Sequence, residues 1–454
     1  MKKVCSLLTA WLLLGVLFMG CAAPAPSGET VPTASAVPGT ASASPTPAAT
    51  PLEPEDYAAS VQPAGPDTAV SQTVTVHTFI DGDTVHFNVP ESVNETGVLK
   101  ARFLAVNTPE STGRVEEYGK AAAAFTKERL QQAASILVES DTGQWNIDST
   151  GGRYLVWVWY KPQGSAVYRN LNIELLQEGL AQPYSAANNR YGSVCTQALN
   201  QAKALKLKLY SGQKDPHYYY GDAVELTLRE LRCHLAEYDG MKVAFEGNII
   251  ANRGNSVYIE EPDAESGQVF GITAYYGFSL SGTGMSILSV GNRARIVGTV
   301  QYYEAGGTYQ ISGLSYREIQ PDDPNNLQKL GDGVSALYTP MTAGELAFGT
   351  VALTLESGEM TLPAAQLRLD TSVSMTGLLV EQVQLPDPKG ESTAVTLYCM
   401  QEGTPVTLRL EKAGEGMDPS GLTGKRIDVK GLVDCFAGSY QIRILSNQGI
   451  IIEN

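Results

Sequence analysis

The second half of this 454-residue chain contains one module twice, and that repetition restricts its architecture more than any other feature. Gly291-Asn-Arg-Ala-Arg-Ile-Val-Gly298, followed by Tyr309-Gln310-Ile311, corresponds to Gly424-Lys-Arg-Ile-Asp-Val-Lys-Gly431, followed by Tyr440-Gln441-Ile442. Upstream, Val243-Ala-Phe-Glu-Gly247 corresponds to Val373-Ser-Met-Thr-Gly377. The step from Gly247 to Gly298 is 51 residues and that from Gly377 to Gly431 is 54, so a unit of about 100 residues is duplicated. Each copy reads as alternating strands broken by glycine turns. The expected modules span residues 225–320 and 340–454.

Charge separates these modules from what precedes them. Residues 213–454 hold 17 Lys plus Arg against 30 Asp plus Glu, which is most of the chain's net charge of −16, whereas residues 70–212 hold 13 of each. A surface that grips a polyanion concentrates Lys and Arg, because affinity comes from displacing counterions at phosphates. The repeated modules lack that, and are expected to act as spacers or as contact surfaces for a protein or glycan partner.

At the other end, Met1-Lys2-Lys3 precedes an apolar run from Leu7 to Met19, too short for a stable membrane-spanning helix and shaped like a secretory signal. It ends in Phe18-Met19-Gly20-Cys21, which resembles a lipoprotein cleavage box. That resemblance implies a signal peptide over 1–20, a lipid on Cys21, and an extracytoplasmic protein anchored to the cell membrane. Residues 22–68 hold ten of the 24 prolines among Ala, Ser and Thr, a composition that cannot bury enough apolar surface to offset chain entropy. A disordered tether over 21–69 is expected, whose Pro-rich stretch 22–68 reaches up to about 145 Å at roughly 3.1 Å per residue. Export permits disulfides among Cys195, Cys233, Cys399 and Cys435, with three pairings open; Cys399 and Cys435 share a module. No Cys or His spacing suggests zinc, and His77 and His86 read as strand-face residues.

The chemistry is concentrated between residues 74 and 153. Asp81-Gly82-Asp83 separates two alternating runs, Val74 to Ile80 and Val85 to Val89, which predicts a hairpin with Gly82 in its turn and carboxylates at a strand end. Some twenty residues on comes Arg102-Phe103-Leu104-Ala105-Val106-Asn107-Thr108-Pro109-Glu110. Arg102 lies on an apolar strand, where an unpaired guanidinium is costly, so an anionic partner is expected. Asp83, Asn107 and Thr108 offer the oxygens that a hard divalent cation takes. A third stretch, Asp148 to Val156, puts a second arginine, Arg153, at the start of another strand.

In this order and spacing the blocks resemble the thermonuclease family, the secreted calcium-dependent nucleases of staphylococcal type. Ile-Asp-Gly-Asp-Thr-Val (80–85) and the 102–110 block match its metal and catalytic segments. Val115-Glu116-Glu117-Tyr118-Gly119 with 121–127 matches its first helix, and Gly-Gly-Arg (151–153) and Asn172 through Ala181 complete the match over about 70–212. The resemblance implies an oligonucleotide-binding-type five-stranded barrel with covering helices. The two repeated modules resemble further barrels of that type by pattern alone, which makes the chain mainly β and multi-domain. It implies a Ca²⁺-dependent endonuclease acting on DNA or RNA with 3′-phosphate products, Asp83, Asn107 and Thr108 holding the cation, Glu110 as general base, and Arg102 and Arg153 on phosphate. Asp81 supports the metal ligands from behind, and Tyr184 is placed as a substrate contact.

Three departures stand out. The family's second carboxylate ligand is Asn107 here, its first-helix glutamate is Ala121, and a tyrosine before the second arginine has become Gly151. Asn107→Asp is accordingly expected to tighten calcium binding while lowering the stability of the metal-free protein. Two alternatives compete: a surface lipoprotein that binds nucleic acid with little or no cleavage, and a wall- or partner-binding protein working through its β modules. Retention of Glu110 beside Asp83, Arg102 and Arg153 favours the enzyme, since a binder has no use for a general base. Locally, the pattern predicts a helix near 116–134 with Tyr118, Ala122 and Phe125 toward the core. Strands at 136–139 and 154–160 are followed by two more helices, the last burying Val194, Ala198, Ala202 and Leu205.

Overall fold

The computed structural model describes residues 54–454 apart from 150, 151, 279, 305, 356, 388–391, 413–416 and 454. The expected signal segment, Cys21 and Gly151 lie outside the described residues. From Pro54 onward the chain forms one compact unit.

Its N-terminal part is a closed barrel. Strands β1 (Ser71–Asp81), β2 (Thr84–Asn88) and β3 (Val98–Phe103) form an antiparallel meander, followed by the short β4 (Val106–Asn107) and helix α1 (Gly119–Gln131). Next come β5 (Ala133–Glu139), β6 (Tyr154–Pro162), β7 (Arg169–Asn170), α2 (Leu171–Gln177), β8 (Gln182–Pro183) and α3 (Gly192–Ala204). The ring runs β1, β2, β3, β6, β5 and back to β1, with β3 and β6 parallel and every other pair antiparallel. That is the oligonucleotide-binding-type topology, with α1 inserted before the fourth barrel strand.

β6 closes the ring, and its run Tyr154-Leu-Val-Trp-Val-Trp-Tyr160 is buried continuously from Val156 to Tyr160 because barrel neighbours and helices cover both faces. The polar edges of that run are all paired. Trp157 and Trp159 donate their indole N–H groups to Asp141 at 2.8 Å and Glu139 at 2.7 Å. Asn172, fully buried, donates to the Leu104 and Val156 carbonyls and accepts from the Val158 N–H, so one side chain completes the ladder where β3 and β6 diverge.

The two C-terminal modules repeat the topology. The middle barrel is built from β9 (Val224–Glu225), α4 (Leu228–Cys233), β10 (Lys242–Arg253), β11 (Ser256–Pro262), β12 (Val269–Tyr275), α5 (Gly282–Ile287), β13 (Arg293–Tyr303), β14 (Thr308–Ser312) and β15 (Gln328–Gly331). The last barrel follows as β16 (Thr339–Pro340), α6 (Ala343–Phe348), β17 (Thr350–Leu355), β18 (Gly358–Pro363), α7 (Ala364–Leu367), β19 (Ser372–Gln384), β20 (Val395–Gln401), β21 (Thr404–Leu410), β22 (Arg426–Phe436), β23 (Ser439–Ile444) and β24 (Ile450–Ile452). β12 pairs parallel to β14, and β21 parallel to β23, as β3 does to β6.

The sequence repeat maps onto equivalent strands, and the glycines at 298 and 431 share one reason. A Cβ on Gly298 would sit 2.5 Å from the Ile311 side chain, and one on Gly431 would sit 2.7 Å from Ile442, the matching residue of the neighbouring strand. The duplication also reaches upstream, where Thr227 and Thr342 each cap a short helix by accepting the N–H of the glutamate three residues on, Glu230 and Glu345. The modules differ in the hairpin β17–β18, which places buried Leu353 in the middle barrel's core. Between the two barrels the buried Glu260 carboxylate accepts from Ser372 and the Leu337 N–H, and Asp370 accepts from Thr273.

Several local expectations change. α1 begins at Gly119 rather than Glu116 because Tyr118 is in the left-handed region (φ 62), and it stops before Ala133, which pairs in β5. The buried stripe of α3 is Cys195, Ala198, Leu199 and Ala202; Val194 is half-buried and Leu205 exposed beyond the helix end. The tether expected over 21–69 does not hold over its described residues 54–69. Ala58 is buried, its carbonyl takes the Asn170 N–H, and Ala64 donates to Glu139, so residues 54–69 are strapped to the barrel that Pro and Ala composition hid. The segment after Gly212 is tied down as well: Asp215, nearly buried, accepts the Tyr118 N–H at 2.8 Å and holds the start of α1. All four remaining cysteines are free thiols; Cys399 on β20 and Cys435 on β22 are kept apart by β19, which lies between them in the sheet.

Candidate functional site

The β1–β2 turn delivers Asp83 into the barrel with 1% of its surface exposed. One carboxylate oxygen, Oδ2, accepts the Thr108 N–H at 2.8 Å, and the other accepts the Thr84 hydroxyl at 3.1 Å. Arg102, opposite Thr84 in the β2–β3 ladder, donates Nη1 to Asp83 Oδ1 and Nη2 to Asn107 Oδ1, the latter at 2.5 Å. The anionic partner expected for this arginine is Asp83. A single guanidinium thus bridges two of the three residues read as cation ligands, and the third, Thr108, adjoins them through its backbone.

Asp81, at the end of β1, is also buried. Its Oδ1 accepts from the Gly82 N–H at 2.7 Å, the Ser111 hydroxyl at 2.7 Å and the Ser111 N–H at 3.2 Å. Burial pushes its carboxyl up to about 8, with the charges of Glu110 and Asp83 adding to the rise and the Ser111 and Gly82 hydrogen bonds opposing it. Burial and the neighbouring carboxylates thus favour the neutral form of Asp81 over a second negative charge in the turn.

Glu110 projects from the loop between β4 and α1 and is exposed. Its backbone is pinned: its N–H donates to Glu116 Oε2 at 3.2 Å, and its carbonyl accepts the Glu116 N–H at 2.9 Å. Gly119 closes the clamp, since a Cβ there would lie 2.1 Å from the Glu110 carbonyl oxygen. The loop backbone is fixed while the carboxylate faces solvent. Arg153 stands just before β6, which runs beside β3, and directs Nε and Nη2 at Asp148 Oδ2, both at 2.7 Å. Tyr184 donates its N–H to the Ala105 carbonyl and follows β8, the partner of β4, and its ring is exposed.

The structure therefore brings Asp83, Arg102, Asn107 and Thr108 into direct contact, joins Asp81 to the Glu110 loop through Ser111, and places Arg153 just before β6, the neighbour of β3, and Tyr184 just after β8, the neighbour of β4. Sequence reading missed Thr84 and Ser111, ordinary turn residues in isolation, and the pairing of Asp148 with Arg153.

A calcium ion implied by the resemblance can be tested against these groups. Among the described residues no three His, Cys, Asp or Glu side chains form a ligand cluster, so a cation would have to use amide and carbonyl oxygens beside Asp83. They fit that demand: the Asp83 and Asn107 oxygens already converge on one cationic group, and the buried Thr108 Oγ1 next to them has no hydrogen-bond partner. Asn107 supplies a dipole where a carboxylate would supply a charge, and ligand charge controls calcium affinity. Asn107→Asp is expected to lower the calcium Kd about tenfold by isothermal titration, an effect of about 1.4 kcal/mol. The metal-free melting temperature should hold or rise rather than fall, because Arg102 already faces the new carboxylate. An unchanged Kd would remove residue 107 from the ligand set.

The family model described as staphylococcal nuclease homologue matches residues 100–212. A thermonuclease from Staphylococcus intermedius is 29% identical over 143 residues, 31% of this chain and 76% of the relative. This chain carries a staphylococcal-nuclease-like domain. The family match begins at residue 100, after the turn that bears Asp83, yet the nuclease-like domain folds Asp83 onto Arg102 and Thr108 from inside the matched range. Residues 213–454, which hold the two acidic barrels, lie beyond it.

Proposed function

We propose that this protein is a calcium-dependent nuclease that hydrolyses phosphodiester bonds of extracellular DNA or RNA, held at the cell surface by a lipid on Cys21. The observation that supports it most is the cluster of Asp83, Arg102, Asn107 and Thr108 in one buried corner of a nuclease-family barrel, with the Glu110 carboxylate exposed on the neighbouring pinned loop. Cleavage needs a water aimed at phosphorus and compensation of the charge that builds on the phosphoryl oxygens. Bound calcium would supply Lewis-acid polarisation of a phosphoryl oxygen. Glu110 takes the proton of the attacking water, and its fixed backbone keeps that carboxylate aimed. Arg153 and Arg102 offer planar forks suited to phosphate oxygens, each exchanging its internal carboxylate for the substrate. Tyr184 offers an exposed ring to a base, and Asp81 and Ser111 hold the metal turn. By family likeness the products carry 3′-phosphates.

The test is digestion of plasmid DNA by the full-length protein in calcium, with chelator as the control. Calcium-dependent loss of intact plasmid, with 3′-phosphate ends, is expected; persistence of the plasmid over hours in millimolar calcium would overturn the reading.

The acidic barrels are assigned no share in gripping nucleic acid. Residues 225–454 should bind single-stranded DNA no better than an unrelated acidic protein at physiological salt, given their excess of carboxylates. Fluorescence anisotropy checks this, and a salt-sensitive micromolar affinity would contradict it.

A further inference from the structure

The loop that carries Glu110 is held from outside its own barrel. Gln301, on β13 of the middle barrel, is 6% exposed; its Nε2 donates to the Ser111 backbone carbonyl at 2.6 Å and its Oε1 accepts the Ser312 hydroxyl at 2.8 Å. These partners fix the amide's orientation, because a carbonyl can only accept and so must face the nitrogen. Ser111 passes the constraint on by donating its hydroxyl and N–H to Asp81, which in turn accepts from Gly82 beside Asp83. A continuous buried line of hydrogen bonds therefore runs from Ser312 through Gln301 to the turn that bears Asp83. Elsewhere in the same seam Lys120 pairs with Asp239 at 2.9 Å and Lys127 pairs with Glu304, but neither touches the loop.

We infer that Gln301 is a positioning residue for the nuclease site: through Ser111 the middle barrel sets the place of the Pro109-to-Ser111 segment, and with it the Glu110 carboxylate. The inference rests on the nuclease reading above and gives an acidic barrel a task that needs no contact with nucleic acid. Glutamine suits the position because it must donate to one partner and accept from the other. Glutamate of the same shape would set a carboxylate oxygen against the Ser111 carbonyl, and alanine would leave that carbonyl buried and unpaired. Displacing a general base by about 1 Å is enough to cost about 10²-fold in rate.

The experiment uses the full-length protein and three variants: Gln301→Glu, Gln301→Ala, and Glu304→Ala, which breaks the Lys127 pair in the same seam without touching the loop. Amide hydrogen exchange over residues 108–117 and steady-state kinetics on DNA are read together. Both Gln301 variants should speed exchange in that segment and lower kcat about 10- to 100-fold with KM changed less than about threefold. Glu304→Ala should leave both unchanged. Unaltered exchange over 108–117 in Gln301→Glu would overturn the inference. So would a kcat loss in Glu304→Ala equal to that in Gln301→Glu, since any weakening of the seam would then suffice. A wild-type protein inert on DNA would sink the nuclease reading alone, because the exchange comparison still decides whether Gln301 holds the loop; if the alanine variant fails to fold, the isosteric glutamate variant carries the test.

Discussion

Glu110→Gln is expected to lower kcat for DNA hydrolysis by about 10²- to 10⁴-fold while leaving KM and the melting temperature nearly unchanged, the usual cost of losing a positioned general base. The substitution is clean for structural reasons. Glu110 is exposed, so its charge contributes little to the fold, and the contacts that hold it in place are made by its backbone with Glu116 and by the close approach of Gly119. Glutamine keeps that backbone and the side-chain shape, and removes only the ability to accept a proton. The carboxylate also contributes to the rise of the Asp81 acid, so its removal should ease Asp81 slightly downward, without altering the three hydrogen bonds that Asp81 accepts. Single-turnover rates with saturating DNA separate the chemical step from binding. Digestion at the wild-type rate would mean that another group activates the water.

Arg102→Met is expected to destabilise the calcium-free protein by about 3 kcal/mol, the lower end of the range for stripping one partner from a buried ion pair. Asp83 is 1% exposed and would keep its carboxylate in place with only the Thr108 N–H and the Thr84 hydroxyl as donors. Methionine preserves much of the side-chain volume, so the loss reports the charge rather than a cavity. Calcium should reverse most of the deficit if Asp83 and Asn107 are its ligands, because a cation bound by native protein stabilises it in proportion to the logarithm of its concentration over Kd. Melting curves in chelator and in millimolar calcium measure both parts. Equal destabilisation in the two conditions would show that the cation is held elsewhere, and none in chelator would show that Asp83 does not depend on Arg102.

What the sequence determined by itself was whatever is encoded over a few residues. Alternation around Asp81-Gly82-Asp83 specifies a hairpin because a period of two and a glycine turn are local properties. The paired glycines at 298 and 431 betray the duplicated barrel because each must let the same neighbouring isoleucine approach. The need of Arg102 for an anion followed from its apolar strand alone. The tertiary structure decided which groups those local pieces meet. Arg102 takes Asn107 as well as Asp83, Asp215 fixes where α1 begins, and residues 54–69 lie against a barrel although their composition is that of a tether. Gln301 reaches Ser111 across 190 positions of sequence, and Leu353 fills the core of the barrel before its own. No periodicity or turn propensity carries such information, because each of these contacts exists only once closed barrels have brought distant strands to one surface, where a buried carbonyl or charge must find whatever partner stands there.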